Sequence, residues 1–469
     1  MSAAQRLPAW RPDAVGGGRV DYAAVWRLAG PLMANSAIQA VLNLTDTWFV
    51  SRLSTTATAA MGATYWIVLS AIILLGGVAM ATQTFAAQAH GARRLARASQ
   101  AAWSGMYAAA LSLPLFAAIG FLGAPLLAML DLNDEVRQLA LAYWWPRLVV
   151  AGPLGLLVWA LTGFFNGIGR SRQTLLVTAV MGIANVPFNQ FFIFNCRLGI
   201  AGAAWGTAAA EVVGLALALA LFFAAPLRLA YRSHLSWRRT AIRRQFALGL
   251  PMGLSTTADL AGLALFQLML VRFSTSAGAA TQIAMMLTSV AYLPGLGIGL
   301  AGMTLVGQSI GAGDRDWAER VGNAIVRLSM LFMGIIGIVL AVVGPWLMPL
   351  FVNPADPHAT EVATLGVRLL WLAAIYQVFD GLNLGANFCL RGAGDVRVPA
   401  VIVAFLSWGL WVPLTHVFVF APGGGWVHFL PQLGLGAIGG WAVSVAYVVA
   451  LGTALWLRWR TGAWRRIGL

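Results

Sequence analysis

The sequence predicts an all-α polytopic membrane protein: twelve transmembrane helices in two pseudo-symmetric six-helix lobes. Three observations lead there. First, 60% of the 469 residues are hydrophobic and only 10% are charged, against about 25% charged in an ordinary soluble domain. Second, apolar runs of roughly 20 residues or more recur along the whole chain. Each can cross a hydrocarbon core of about 30 Å, where helices satisfy their own backbone hydrogen bonds. Third, the halves repeat. At a shift of 220 residues, Pro31 meets Pro251, Arg52-Leu53-Ser54-Thr55 meets Arg272-Phe273-Ser274-Thr275, and Gln88-Ala89-His90-Gly91-Ala92 meets Gln308-Ser309-Ile310-Gly311-Ala312. Gly167-Ile168-Gly169 meets Gly392-Ala393-Gly394 at a shift of 225. An even number of spans separates the copies, so the repeats run parallel, related by an axis along the membrane normal.

In chain order the spans are expected at 24–50, 59–84, 101–122, 138–165, 172–195 and 199–224, then 245–271, 280–306, 322–350, 366–391, 396–420 and 434–457. They divide the chain into a cytoplasmic N-terminal segment (1–23), a first lobe (24–225), an Arg-rich cytoplasmic linker (226–244), a second lobe (245–457) and a cytoplasmic tail (458–469). Every basic residue is Arg. With the N-terminus inside, the inner segments hold 22 arginines and the outer loops four, Arg52, Arg137, Arg197 and Arg272. That excess places both termini in the cytoplasm. The outer loops carry Asp131, Asp134, Glu135, Asp356 and Glu361 instead. The net charge of +15 thus reports topology, and nucleic acid is not expected as a partner. No secretory signal is expected, because the first apolar run is too long and lacks a small-residue cleavage site. Cys196 and Cys389 fit no metal or redox spacing and fall near opposite surfaces, so no disulfide is expected.

Four carboxylates fall inside spans: Asp46, Glu211, Asp259 and Asp380. A charge at the bilayer centre costs at least about 2.5–3.5 kcal/mol, so each is a functional candidate. In the first span Asn35, Gln39, Asn43 and Asp46 share one helix face. Asn185 and Asn189 stand one turn apart in the fifth, and Ser255 and Asp259 in the seventh. The tenth carries the stripe Tyr376, Asp380, Asn383, Asn387 and Arg391. Such stripes predict a wet internal cavity. Interhelical hydrogen bonding is the competing explanation, strongest for Asn185, Asn189 and Glu211, the last flanked by Ala208, Ala209 and Ala210. A buried carboxylate can exchange a proton for Na⁺ or a cationic ligand. Na⁺ wants several oxygens from different helices, whereas a proton needs one suitable group. The pieces GFFNGIG and GLGIGLAG suit close helix packing. The five histidines (His90, His234, His358, His416, His428) have no ligand spacing, and no catalytic constellation emerges. The chain is not expected to be an enzyme.

The chain resembles the multidrug and toxic compound extrusion (MATE) family, and within it the NorM branch, over roughly 24–457. The motifs that carry the resemblance are LTDTWFV in the first span, AAQAHGARR after the second, NVPFNQFFIF in the fifth, LGLPMGLSTTAD opening the seventh, ATQIA in the eighth and YQVFDGLNLGANFCLRG in the tenth. The resemblance implies a multi-pass antiporter of a bacterial-type inner membrane. Such a protein exports organic cations and amphipathic drugs or toxins by alternating access, in exchange for inward Na⁺ or H⁺. By position, Asp46 matches the first-helix coupling carboxylate and Asp380 the tenth-helix carboxylate of the cation site. Asp259 stands where the branch usually has Glu, which leaves a possible Na⁺ site at Asp259 and Asp380. Gln282 falls in the eighth-helix motif of the second-lobe cavity. Asn189 takes the place where another branch has Asp. Gln39, Asn43, Asn185, Tyr376 and Asn383 complete the expected cavity, and Glu211 has no assigned role. The implied partners are membrane lipids and small amphipathic or cationic substrates; the implied unit is a monomer without cofactor beyond the coupling ion. Two other functions stay open: a lipid-linked oligosaccharide flippase of the same superfamily, which would favour basic cavity residues, and a channel or passive facilitator.

Overall fold

The computed structural model describes residues 7–12, 18–129, 132–232, 236–352, 357–427 and 430–468. Asp131, His234, Asp356 and His428 of the sequence reading lie outside them. A short hairpin, β1 (Trp10–Pro12) against β2 (Gly18–Val20), precedes the helices. It is tied down where Trp317 Nε1 donates to the Pro8 carbonyl at 2.9 Å.

The first lobe contains α1 (Tyr22–Ser51), α2 (Thr55–Gly91), α3 (Leu95–Leu111), α4 (Leu113–Phe121), α5 (Gly123–Ala128), α6 (Asp134–Trp145), α7 (Gly152–Gly167), α8 (Ser171–Asn189) and α9 (Ile200–Phe223). The linker is largely helical: α10 fills Ala225–Tyr231 and α11 already begins at Arg239. The second lobe contains α11 (Arg239–Phe273), α12 (Thr275–Gly311), α13 (Arg315–Leu347), α14 (Ala359–Ala393), α15 (Arg397–Ala404), α16 (Val412–Val419) and α17 (Gly436–Arg460). Eleven helical segments among the described residues are long and apolar enough to cross a membrane. The first helix, α1, has 30 residues and so also reaches across, but its polar stripe lowers its hydropathy. Several helices, α2, α11, α12, α13 and α14 among them, overrun the expected spans by one or two turns at one end or both, because hydropathy registers only their apolar stretch. Their true ends are set by caps, as where Ser54 Oγ accepts from Ala57 N at 2.9 Å.

Three spans contain a wide, π-helical turn: Pro146–Ala151 in the fourth, Gln190–Asn195 in the fifth and Phe405–Trp411 in the eleventh. Each adjoins a proline (Pro146, Pro187, Pro413), which lacks the N–H that an α-helical ladder requires.

Two large hydrophobic cores form, with two smaller clusters beside them. One is built of first-lobe residues, including Trp144, Phe164, Phe165 and Phe222. The other is built of second-lobe residues, including Trp411, Trp441 and Trp459, and it also takes in Val25, Leu28, Ala29 and Leu32 of α1. The opening turns of α1 therefore pack in the opposite lobe. The opening turns of α11 do the same: Ile242 packs with Val78 and Ala108, and Gln245 Nε2 donates to Val78 O (2.9 Å) and Thr82 Oγ1 (2.7 Å).

The lobes meet at the end of the bundle that carries the termini, and the contact is reciprocal. Gln88 Nε2 donates to Gly392 O at 3.0 Å, and its repeat mate Gln308 Nε2 donates to Gly167 O at 2.8 Å. Thr84 Oγ1 donates to Arg391 O at 2.9 Å, and Thr304 Oγ1 to Asn166 O at 3.1 Å. Gly91 and Gly311 complete the set. A Cβ on Gly91 would run into the carbonyl of Gln308, and one on Gly311 into that of Gln88. The lobe-to-lobe hydrogen bond farthest from the termini, Thr257 Oγ1 to Ser70 O (3.3 Å), lies near the middle of α11 and α2. Forcing a larger side chain into such a contact costs about 1–3 kcal/mol. Gly311→Val is therefore expected to part the lobes at this end. Spin labels at the exposed positions Arg94 and Arg315 should report a longer distance, and an unchanged distance in folded protein would refute the clasp.

Candidate functional site

The second lobe encloses a cavity of about 270 Å³ between α11, α12, α14, the π-helical turn that precedes α16, and α17. Asp259 and Asp380 both line it, with Tyr376 and Asn383. Tyr447 OH donates to Asp259 Oδ1 at 2.5 Å, and Asn383 Nδ2 donates to Asp380 Oδ1 at 3.1 Å. Three buried oxygens of the lining, Asp380 Oδ2, Asn383 Oδ1 and Gln377 Oε1, have no donor among the described residues. The other walls are aromatic. Trp411 stacks on Tyr447 with ring centroids 4.6 Å apart, and Trp441 stands nearby, its Nε1 held by Thr281 Oγ1 at 3.1 Å. Aromatic faces attract cations, as do unpaired carboxylate oxygens. Beyond the cavity, Arg391 donates to Asn387 Oδ1 (3.1 Å) and Thr256 Oγ1 (3.0 Å).

In the first lobe Asp46 is buried and both its oxygens accept hydrogen bonds. Asn189 Nδ2 donates to Oδ1 at 2.6 Å and Thr207 Oγ1 to Oδ2 at 3.0 Å. Asn189 also donates to Asn185 Oδ1 at 3.0 Å. Asn43, exposed, shares a narrow cleft with Asp46, Tyr65, Tyr143 and Arg147. Gln39 is half-buried one turn earlier on the same face.

Arg147 is absent from the residues that sequence reasoning picked out. It stands in the π-helical turn of the fourth span and pairs with Glu211, NH1 to Oε1 at 3.8 Å. Glu211 is therefore the partner of a half-buried cation, not an isolated group. Its carboxylate lies against Gly155, where a Cβ would stand 3.0 Å from Oε1. The sequence signal for Arg147 is an Arg inside an apolar run, one turn from Tyr143, and a search confined to carboxylates passes over it.

One expectation needs correction. Gln282 does not line the second-lobe cavity. It shares a face of α12 with Ser289 but sits two turns farther from the termini, about 10 Å along the axis, and is exposed. Asp46 on the one hand and the pair Asp259 and Asp380 on the other form two separate sites, one per lobe.

A family model, MatE, matches residues 31–191 and 251–417. The chain is 29% identical over 426 residues to "Probable multidrug resistance protein NorM" of Pseudomonas putida, covering 89% of this chain and 91% of that protein. It is 29% identical over 441 residues to "Multidrug resistance protein NorM" of Burkholderia vietnamiensis, covering 91% of each. Its fold matches the solved "outward-facing conformation of a multidrug resistance MATE family transporter of the MOP superfamily" with a TM-score of 0.80, at 19% identity over 100% of this chain and 99% of that one. Twelve spans in two lobes, polar sites buried in each and a family model matching both halves have one conclusion: this chain is a multi-pass membrane transporter of the MatE family.

Proposed function

We propose that the protein is a secondary active antiporter that exports organic cations and amphipathic compounds in exchange for inward Na⁺ or H⁺. The observation that carries the proposal is the second-lobe cavity, in which two carboxylates from different helices face an aromatic hollow and Asp380 Oδ2 has no donor. A cationic substrate and a coupling ion would compete for Asp259 and Asp380. Each moves the equilibrium between lobe arrangements only by its differential affinity for them. Asp46, with Asn185, Asn189 and Thr207, supplies a second oxygen-rich place for a cation in the first lobe, and Gln39 and Asn43 its polar approach. Tyr376 and Asn383 line the substrate side of the second. The names of the relatives support the substrate class, and the 22-to-4 bias of arginines supports an inner-membrane orientation with both termini cytoplasmic. The proposed unit is one chain, since both sites and the contact between lobes lie within it.

Arg147 favours a second reading, a flippase for lipid-linked pyrophosphate sugars, because a half-buried guanidinium binds phosphate well. Its ion pair with Glu211 weighs against this, since the charge is already matched. With Arg147 and Glu211 paired, Asp46 is the remaining charge of the first-lobe cluster, and the second-lobe cavity holds two carboxylates. The exchange is therefore proposed to centre on the second lobe.

Ethidium export from oriented proteoliposomes, under a Na⁺ gradient alone and then a pH gradient alone, tests the proposal. One gradient should drive transport, and Asp380→Asn should lower the coupled rate about 5- to 150-fold, the range of typical coupling energies. Undiminished coupled export by folded Asp380→Asn would overturn it. Transport of a lipid-linked sugar, with no gradient-driven ethidium export, would favour the flippase. Arg147 gives a separate expectation. Arg147→Met should destabilise the protein by about 3–5 kcal/mol, because Glu211 is left buried without its counter-charge. Arg147→Met/Glu211→Gln should recover most of that in chemical unfolding. Equal unfolding of the single and double variants would show that the pair contributes nothing.

A further inference from the structure

A second large hollow opens at the end of the bundle that carries the termini. It measures about 520 Å³ and lies between the lobes, away from both buried sites. Five arginines line it: Arg94 and Arg97 at the start of α3, Arg238 and Arg244 at the start of α11, and Arg315 at the start of α13. No carboxylate is among the lining residues. None of the five arginines is ion-paired among the described residues. The two acids that flank Arg315 in sequence are engaged elsewhere: Asp314 caps α13, accepting from Trp317 N at 2.7 Å, and Asp316 accepts from Arg465 NH1 at 2.7 Å.

Two further features point to an anion. The helices α3 and α11 begin at the hollow with no side-chain cap, so their free N–H groups and dipoles add to the positive field. Deeper in the lining, Ser104 is 2% exposed and its Oγ has no partner. The amide Nε2 of Gln100 is buried without an acceptor as well. The cytoplasmic bias of arginine explains why so many lie at this end. It does not explain why five converge on one concavity above unpaired buried donors, since like charges on a free surface gain by spreading apart.

We propose that this hollow is a binding site for a multiply charged phosphate anion, supplied either by the headgroup of an anionic lipid or by a soluble phosphate compound. Arg94 and Arg97 belong to the first lobe, Arg315 to the second, and Arg238 and Arg244 to the helix that crosses between them. Bound phosphate holds the two lobes together at this end, so it favours the arrangement in which the clasp is made. The site is thereby a regulator of the transport cycle, and it shares no lining residue with the two buried carboxylate sites.

The test is thermal unfolding of the full-length protein in neutral detergent, at fixed ionic strength. Inorganic pyrophosphate is titrated in one arm. In the other, phosphatidylglycerol is titrated against phosphatidylcholine in mixed micelles. A saturable rise in Tm is expected in at least one arm. A rise with pyrophosphate assigns a soluble phosphate compound, and a rise with phosphatidylglycerol alone assigns a lipid headgroup. Arg97→Gln/Arg244→Gln should weaken the apparent affinity about tenfold or more, since two charge-assisted bonds to the anion are lost. Arg460→Gln, at the same end but outside the lining, should leave the affinity unchanged. Ser104→Ala, which alters no charge, gives a second reading if the double variant does not fold, and it too should bind more weakly. No saturable rise in either arm, or a rise that these lining variants retain in full, overturns the site.

Discussion

The rest of the structure depends on the reciprocal contact between α2 and α12. Gln88 and Gln308 each reach across to a carbonyl of the opposite lobe, Thr84 and Thr304 do the same one turn earlier, and Gly91 and Gly311 let the backbones approach. Little hydrophobic driving force operates between apolar helices in lipid. Close backbone approach and interhelical hydrogen bonds must hold such a junction, and this one uses both. Each donor is an uncharged amide or hydroxyl, so its net contribution is modest, about 0.5–1.5 kcal/mol per bond. A junction of that strength can be made and broken within a transport cycle.

The clasp is symmetric, yet the sites above it are not. At the spacing of 225 that relates Gly167 to Gly392, Gly155 answers Asp380. The first lobe thus has no carboxylate where the second carries its unpaired one. Glu211 reaches Gly155 from another helix, with Arg147 beside it. Around the fifth and eleventh spans, Val186-Pro187 answers Val412-Pro413, so Trp411 replaces Asn185 and Thr415 replaces Asn189. One duplicated scaffold therefore carries an amide-rich, internally paired cluster in one lobe and an acidic, aromatic hollow in the other.

Most of the scaffold is legible in the sequence. Spans follow from hydropathy and the two lobes from the repeat, because bilayer thickness constrains both. The in-span carboxylates are legible too, since their burial is costly wherever they end up facing. Three things are not. The pairing of Arg147 with Glu211 joins residues 64 positions apart, and no local pattern encodes it. Gln282 shows the limit of a motif: it sets the helix face but not the depth of the cavity along the axis. Reciprocity of the clasp is the third. The repeat reveals that Gln88 and Gln308 are equivalent, but the mutual exchange of bonds exists only when the halves face each other.

The exchanged opening turns of α1 and α11 bear on how the protein is made. Val25, Leu28 and Leu32 find their core only among second-lobe residues, and the carbonyls of Asn166 and Gly167 await donors encoded 138 and 141 residues later. A first lobe leaving the ribosome is thus incomplete at the end that carries the termini, with polar backbone and an apolar helix face uncovered, until the second lobe has been inserted. The duplicated halves are not two modules that fold and then dock. Biogenesis has a single point of completion, and a chain truncated between the lobes would present to the membrane's quality control the same surfaces that the finished transporter uses to hold itself together.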